Sequence, residues 1–240
     1  MKAFLLAAGF GTRLKPFTDH HPKALAPVNG QSLLEINIRK LQKIGVYDVV
    51  VNVHHFAEQI METLQTNKGF GSRFEISDER DAVLETGGGL LKARTFLENE
   101  DCFLIMNVDI LSSIDLQQLI QHHLERPSLS TLAVMQRASS RKLLFDENMR
   151  LYGWKNIETG AYRGGVTQQD KELQPFAFSG IQVMQSEIFR HIRFQGKFSL
   201  IDLYLDLADT QKISGYDHSG DLLLDVGKPD QLEKAAKLFQ

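Results

Sequence analysis

The sequence predicts an α/β protein with a Rossmann-like three-layer fold: a central, mostly parallel mixed sheet between helices, with a small antiparallel extension. Two observations predict it. Short apolar runs alternate with segments of helical periodicity through the first half of the chain. The runs are apolar throughout rather than every second residue, as strands covered on both faces must be. A third observation sets the extension: after about residue 135 the pattern breaks into short alternating pieces separated by Asp, Asn and Gly turns.

Taken in order, Lys2–Ala8 reads as a buried strand ended by Gly9-Phe-Gly11. Leu34, Ile38, Leu41 and Ile44 share one helical face, and Gly45 supplies the stop. Val46–Val53 is predicted as the second strand, Ala57–Leu64 as a short helix and Arg73–Ser77 as a short strand. Glu85–Gly89 is expected as a loop before a helix over Leu90–Leu97, and Cys102–Val108 as a third buried strand ending in Asp109. Leu116, Leu119, Ile120 and His123 or Leu124 mark one face of the next helix, and Leu129–Met135 the next strand. The pieces LLF and RLYGWK within Arg141–Gly165 form the predicted extension, and Phe176–Met184 a further strand. Ser199 is placed to cap a helix running to Ala208; Leu222–Leu224 reads as a last strand, and Pro229 opens a terminal helix. With no linker, low-complexity tract or repeat, residues 1–240 are expected to form one domain, elaborated at about 136–180.

Composition excludes several classes. Lys and Arg number 27 against 30 Asp and Glu, a net charge of −3, and the basic residues are dispersed. A nucleic-acid or acidic-membrane surface wants a basic stripe, so neither partner is expected. No window approaches the ~18 apolar residues of a membrane span. One cysteine, Cys102, precludes an internal disulfide, fits a reducing compartment and reads as a packed strand residue. The expected location is the cytoplasm.

Leu5–Val28, LLAAGFGTRLKPFTDHHPKALAPV, is the most informative stretch. A buried strand delivers two glycines, then Arg13 and Lys23 among Pro16, Pro22 and Pro27, which favour a fixed extended path. Glycine-turn amides form an anion nest, arginine offers a donor fork and lysine a point charge. The turn is not the dinucleotide G-x-G-x-x-G, because Leu14 replaces the third glycine, and no Lys after Gly is followed by Ser or Thr as in a Walker A loop. On residues alone, a tight turn with two surface cations fits as readily as a phosphate site. Adjacent histidines at 54–55 and 122–123 diverge on a strand or helix and cannot chelate together; the first pair is expected to be structural or loop-lining, and the second fails as a metal pair in the same way.

Leu6-Ala-Ala-Gly-Phe-Gly-Thr-Arg-Leu-Lys-Pro-Phe-Thr18 followed by Pro22-Lys-Ala-Leu-Ala-Pro-Val28 closely resembles the signature of sugar-1-phosphate nucleotidyltransferases, and the resemblance continues through Glu85–Gly89, Asn107-Val-Asp109, Phe178-Ser-Gly-Ile181 and Asp225-Val-Gly227. It is strongest toward the short bacterial N-acetylmuramate-1-phosphate uridylyltransferases, with mannose-1-phosphate guanylyltransferases close behind. It implies the nucleotide-diphospho-sugar transferase type of fold, and a nucleoside triphosphate (UTP favoured, GTP next) and a sugar 1-phosphate as substrates of a monomer or homodimer. By the same resemblance Ala7, Ala8, Gly9, Gly11 and Thr12 would hold the nucleotide, Gly87 or Gly88 would lie against its base, and Glu85, Ser179 and Gly180 would border the sugar. Arg13 and Lys23 would be catalytic, and Asp109 and Asp225 would hold Mg²⁺. Pro22-Lys-Ala-Leu25 also resembles phosphocholine cytidylyltransferases, so a non-sugar acceptor stays open, as does a catalytically silent regulatory homologue. Such homologues usually lose a lysine or a metal aspartate; both kinds are present here.

Overall fold

The computed structural model describes residues 1–170 and 172–239. In chain order the elements are β1 (Ala3–Leu6), the hairpin β2 (Pro27–Val28) and β3 (Gln31–Ser32), α1 (Leu33–Gln42), β4 (Asp48–Val53), α2 (Ala57–Thr66) and β5 (Arg73–Asp78). There follow α3 (Glu85–Lys92), α4 (Arg94–Leu97), β6 (Cys102–Asn107), β7 (Ile110–Ser112), α5 (Leu116–Glu125) and β8 (Ser130–Met135). The extension supplies β9 (Arg141–Phe145), β10 (Leu151–Asn156) and β11 (Tyr162–Arg163). The long strand β12 (Gln174–Gln185), α6 (Leu200–Leu207), β13 (Ile213–Asp217), β14 (Leu223–Asp225) and α7 (Pro229–Leu238) complete the chain.

The central sheet runs β5-β4-β1-β6-β12-β8-β13. The pairs β5–β4, β4–β1, β1–β6 and β8–β13 are parallel, and only β12 runs against its neighbours. The predicted fold class is therefore borne out. Because β12 is long, its first residues also pair with β9, and β9, β10 and β11 continue from there as the antiparallel extension.

The three layers follow from residue alternation. Leu5, Val49, Val51, Leu104 and Met106 point to one face, where Leu34, Ile38 and Leu41 of α1, Ile60 and Leu64 of α2 and Leu119 of α5 cover them. Their neighbours Phe4, Val50, Phe103 and Ile105 point to the other, under Leu90 of α3, Leu97 of α4 and Leu203 and Tyr204 of α6. Both faces are dry, which is why these strands read as continuous apolar runs. Cys102 is buried in β6, as expected of a packed strand residue. A smaller third cluster joins Leu14, Val28, Leu33, Leu111, Val226 and Ala235, tying the glycine-bearing arm to α7.

Local signals explain most boundaries. Ser32 caps α1 by accepting from the Glu35 amide, and Gly45, at φ 79°, turns the chain after it. Ser199 and Asp202 form the reciprocal capping box that starts α6. Four expectations need correction. Residues 12–25 do not run extended: Thr12–Leu14, Phe17–Asp19 and Lys23–Leu25 each form a 3₁₀ turn, with the prolines at their edges. Glu85–Gly89 is not a loop but the first turns of α3, whose glycines pack too closely for any other residue. The helix foreseen over Leu90–Leu97 is therefore the end of α3 and, past Ala93, the separate α4. His54 and His55 lie past the end of β4 and do not diverge: both rings contact Phe10, at 5.3 and 5.6 Å. No helix among the described residues is long and apolar enough to cross a membrane.

Candidate functional site

The site forms where β1, β4, β5 and β6 end, the edge of a parallel sheet at which loops can converge on a ligand. Its floor is one amide side chain. Asn52 in β4 stands beside Leu6 of β1, and its Oδ1 accepts from the amides of Ala7 (2.6 Å) and Ala8 (3.2 Å). The Asn52 Nδ2 donates to Glu79 Oε1 at 2.8 Å. Glu79 is only 2% exposed, and burial pushes its carboxyl above the ordinary range. Gly89 of α3 lies on this pair, so closely that a Cβ there would fall 2.6 Å from Glu79 Oε1. Asn52 thus locks three strand ends and a helix together.

The glycine turn follows. Gly9 is open, with nothing near a would-be Cβ. Gly11 adopts φ 63°, and its carbonyl accepts from the Leu14 amide (2.8 Å) and the Thr18 hydroxyl (2.9 Å). A Cβ at Gly11 would meet Lys23 Cβ and Thr18 Cγ2, both at 2.9 Å. Conformation and close approach both require glycine here. Under it runs Lys23, 9% exposed, whose ammonium donates to Asp109 Oδ2 and lies 3.7 Å from Asp225 Oδ1. Arg13 is exposed, with Nη2 4.0 Å from Asp225 Oδ2.

Asp109 follows β6, whereas Asp225 ends β14 in the separate β7–β14 ribbon. Asp225 is registered against Ile110, and the Val226 amide donates to the Asp109 carbonyl (2.9 Å), which brings two carboxylates distant in sequence to one point. Gly227 stays clear of both neighbours: a Cβ there would lie 3.0 Å from Arg13 Nη2 and 3.1 Å from Asp225 Oδ1. Two carboxylates this close repel unless a cation stands between them, and Lys23 is that cation.

A cavity of about 420 Å³ opens beside this cluster. Phe10, Val83 and Leu84 give it apolar wall, Asn52 and Glu79 its floor, Gly9 and Asp109 one end, and Glu85 and Lys197, 3.4 Å apart, its rim. That size suits a small-molecule ligand. A larger surface groove of about 590 Å³, lined in part by Ile44–Val46, Asp115, Gln117 and Gln121, offers no lysine or arginine and shares no residue with this cluster.

The structure brings Arg13, Lys23, Asp109 and Asp225 together and sets Ala8, Gly9 and Glu85 on the cavity. Thr12 lies in the 3₁₀ turn just after Gly11. Other expected residues are engaged elsewhere. The Gly87 and Gly88 amides donate to the Phe198 carbonyl, and Cβ atoms on them would strike the Phe198 ring at 2.4 Å and the Gly196 carbonyl oxygen at 2.3 Å. Their bareness serves helix packing. Ser179 is fully buried with Oγ 2.7 Å from His218 Nε2, so its hydroxyl is turned into the protein. Gly180, at φ 72° in the irregular pairing of β12 with β8, lies against Asn107 just ahead of Asp109. Asn52 and Glu79 were missed. Their signal was slight: one amide inside the apolar run Val49–Val53, and one acid within Ser77-Asp-Glu-Arg80.

Fold and cluster together define an α/β protein that presents a glycine turn, two cations and two carboxylates to a sheet-edge cavity. The chain belongs to the nucleotidyl transferase family, whose profile matches residues 2–143. It is 30% identical over 99% of its length to an N-acetylmuramate alpha-1-phosphate uridylyltransferase of Caulobacter vibrioides, covering 97% of that protein. A mannose-1-phosphate guanylyltransferase catalytic subunit beta of Xenopus tropicalis is 27% identical over 85% of the chain, which spans 59% of that longer relative. In fold, it matches a structure described as a glucose-1-phosphate thymidylyltransferase from Bacillus anthracis, with a TM-score of 0.82 at 17% identity over 99% of this chain and 94% of that one. The resemblance carried by the glycine arm is thus borne out at the level of family.

Proposed function

We propose that the chain joins a hexose 1-phosphate to a nucleoside triphosphate, releasing pyrophosphate, with UTP the favoured donor and GTP the next. The observation that carries this reading is the Lys23 ammonium seated between Asp109 and Asp225 beside an open glycine turn. The names of the sequence relatives, a uridylyltransferase and a guanylyltransferase of sugar 1-phosphates, support the same reaction class.

The reaction needs little covalent help. An oxygen of the acceptor's phosphate forms a bond to the α-phosphorus of the donor; the bond from that phosphorus to the bridging oxygen breaks, and its electron pair leaves with pyrophosphate. The attacking oxygen is already anionic, so no proton has to be removed and no general base is assigned. What opposes the step is charge: two polyanions must meet. In this reading Gly9, Gly11 and Thr12 wrap the donor phosphates with backbone amides, Lys23 bridges to the α-phosphate, and Arg13, exposed at the surface, meets the departing pyrophosphate. Ala7 and Ala8, fixed by Asn52, set the depth at which the nucleoside lies.

Asp109 and Asp225 fit Mg²⁺. Both offer hard oxygen donors, and an ammonium held between them marks a place built for positive charge. Two carboxylates suffice when phosphates and water complete the shell. The ion, when bound, supplies charge neutralisation at the donor phosphates.

Glu79 explains the preference among bases. A carboxyl oxygen of Glu79 is placed in this reading to accept from the N3–H of uracil or the N1–H of guanine, donors that the ring nitrogens of cytosine and adenine lack. Glu85 borders the acceptor, while Ser179 and Gly180 shape its pocket through backbone. Residues 1–240 act as one domain in this reading.

A grid of UTP, GTP, CTP, dTTP and ATP against several sugar 1-phosphates, read as pyrophosphate release, tests the proposal. At least one UTP or GTP pair turns over if it is right; nucleotide binding without pyrophosphate from any pair removes it.

A further inference from the structure

The turn from β8 to β9 carries two cations that have no counter-ion. Arg137 and Lys142 stand at its two ends, and Lys142 Nζ reaches back to donate to the Arg137 carbonyl. The Arg137 Nη2 donates to the Phe178 carbonyl at 3.1 Å and its Nη1 to the Ala138 carbonyl at 3.4 Å, while its buried Nε has no partner. Among the described residues, no carboxylate lies within 4 Å of either side chain, whereas Arg13, Arg39, Arg73, Arg80, Arg94 and Arg163 are each so paired. The turn is not loose. The Gln136 amide donates to Ser219 Oγ at 2.7 Å, and Ser139 bonds the backbone of Arg141 in both directions.

Two like charges held together and partly desolvated oppose each other; burial lowers the pKa of both, and proximity to Arg137 lowers that of Lys142 further. Lys155 is registered directly across from Lys142, but its ammonium lies over the Tyr162 ring, 5.0 Å from the centroid. The one carboxylate whose field reaches Arg137 is Asp225. An arrangement of this kind is favourable only when an anion completes it. Phe178, whose carbonyl anchors Arg137, immediately precedes Ser179 and Gly180, so the pair stands on the acceptor side of the cluster.

We propose that Arg137 and Lys142 seat the phosphate of the acceptor, forming a site for a phosphomonoester dianion. The inference rests on the nucleotidyltransferase reading: with the donor on Lys23 and Arg13, the acceptor needs cations of its own. The Arg137 Nη atoms each keep a second N–H beyond the one given to a carbonyl, and Lys142 adds a movable charge. The site holds the attacking oxygen in place and offsets the repulsion between the two phosphates.

Calorimetric titration with glucose 1-phosphate, inorganic phosphate and neutral glucose tests it on the native chain and on Arg137→Gln, Arg137→Lys and Lys142→Gln. UTP and GTP are titrated separately. The expected result is glucose 1-phosphate binding weakened at least about tenfold by either glutamine, as for loss of a charge-assisted hydrogen bond. Arg137→Lys recovers part of it, neutral glucose does not bind, and nucleotide affinity stays within about twofold. Equal binding of glucose 1-phosphate to native and glutamine variants overturns the proposal, as does a parallel loss of nucleotide binding. Circular dichroism identifies a variant that fails to fold; Lys142→Gln, which keeps a donor for the Arg137 carbonyl, carries the test if Arg137→Gln does. Failure of the parent reading looks different: no pair yields pyrophosphate, yet inorganic phosphate still binds the native chain and is lost with either glutamine.

Discussion

Lys23 carries the electrostatics of the site. Its side chain is nearly buried beneath Gly11 and ends between two carboxylates, so it offsets their mutual repulsion and, together with Arg13, balances their two charges. We expect Lys23→Ala to slow turnover by about 10²–10³, as for loss of one donor aimed at developing charge. Steady-state rates measure this, and unchanged turnover would take Lys23 out of the mechanism. Glu79 makes the second residue-scale prediction. Glu79→Gln replaces one carboxyl oxygen with an amide donor, so the preference for UTP or GTP over CTP should shrink by about tenfold; an unchanged kcat/KM ratio would detach Glu79 from base choice. The sequence showed Lys23 and missed Glu79 for one reason. Lys23 belongs to a local pattern of glycines and prolines, whereas Glu79 acquires its role only when Asn52 and Gly89 arrive from other elements.

Two elements support the site by close packing. The α3 glycines let residues 196–198 lie directly on the helix, and the Leu200 amide completes the seam by donating to Thr86 Oγ1 at 2.9 Å. Gly88→Ala places a methyl 2.3 Å from a backbone oxygen that cannot swing aside. It should cost about 1–3 kcal/mol, read as a lower denaturation midpoint at unchanged m-value. A midpoint equal to the native one would mean that the seam is slack. On the other face, α5 buries His123 against Thr131, with Nδ1 2.8 Å from Oγ1. Burial, with His122 adjacent, pulls the His123 pKa from 6.5 down to about 4. The unfolded chain therefore binds this proton first. Stability present above pH 6.5 is lost as the pH falls toward 4, by up to roughly 3 kcal/mol. His123→Gln should flatten that acid limb in melts from pH 7 to pH 4; an equally steep limb would assign it to other groups. Apolar periodicity disclosed α5, but not that His123 would be inside it, because a helix face read from Leu116 and Leu119 leaves the next position ambiguous.

At the scale of the molecule, the fold does one thing no single segment can: the end of β6 and the β7–β14 ribbon together bring Asp109 and Asp225 within reach of one ammonium. Alternation of apolar runs with helical periodicity made the parallel part of the sheet legible. The reversed strand β12, shared between sheet and extension, was visible only as one more apolar run, because strand direction is set by long-range pairing. The strand β13 went unforeseen since Ile213-Ser-Gly-Tyr-Asp217 is short and half polar. The cations at Arg137 and Lys142 were likewise hidden, since nothing in the sequence tells a paired arginine from an unpaired one. The central claim is that an oxygen of the acceptor's phosphate attacks the donor's α-phosphorus at the Lys23–Asp109–Asp225 cluster. Mass analysis of the products formed from an acceptor labelled with ¹⁸O at its non-bridging phosphate oxygens tests it most directly. All of the label should appear in the nucleotide-linked product and none in the pyrophosphate; label in the pyrophosphate, or no pyrophosphate at all, would contradict the account.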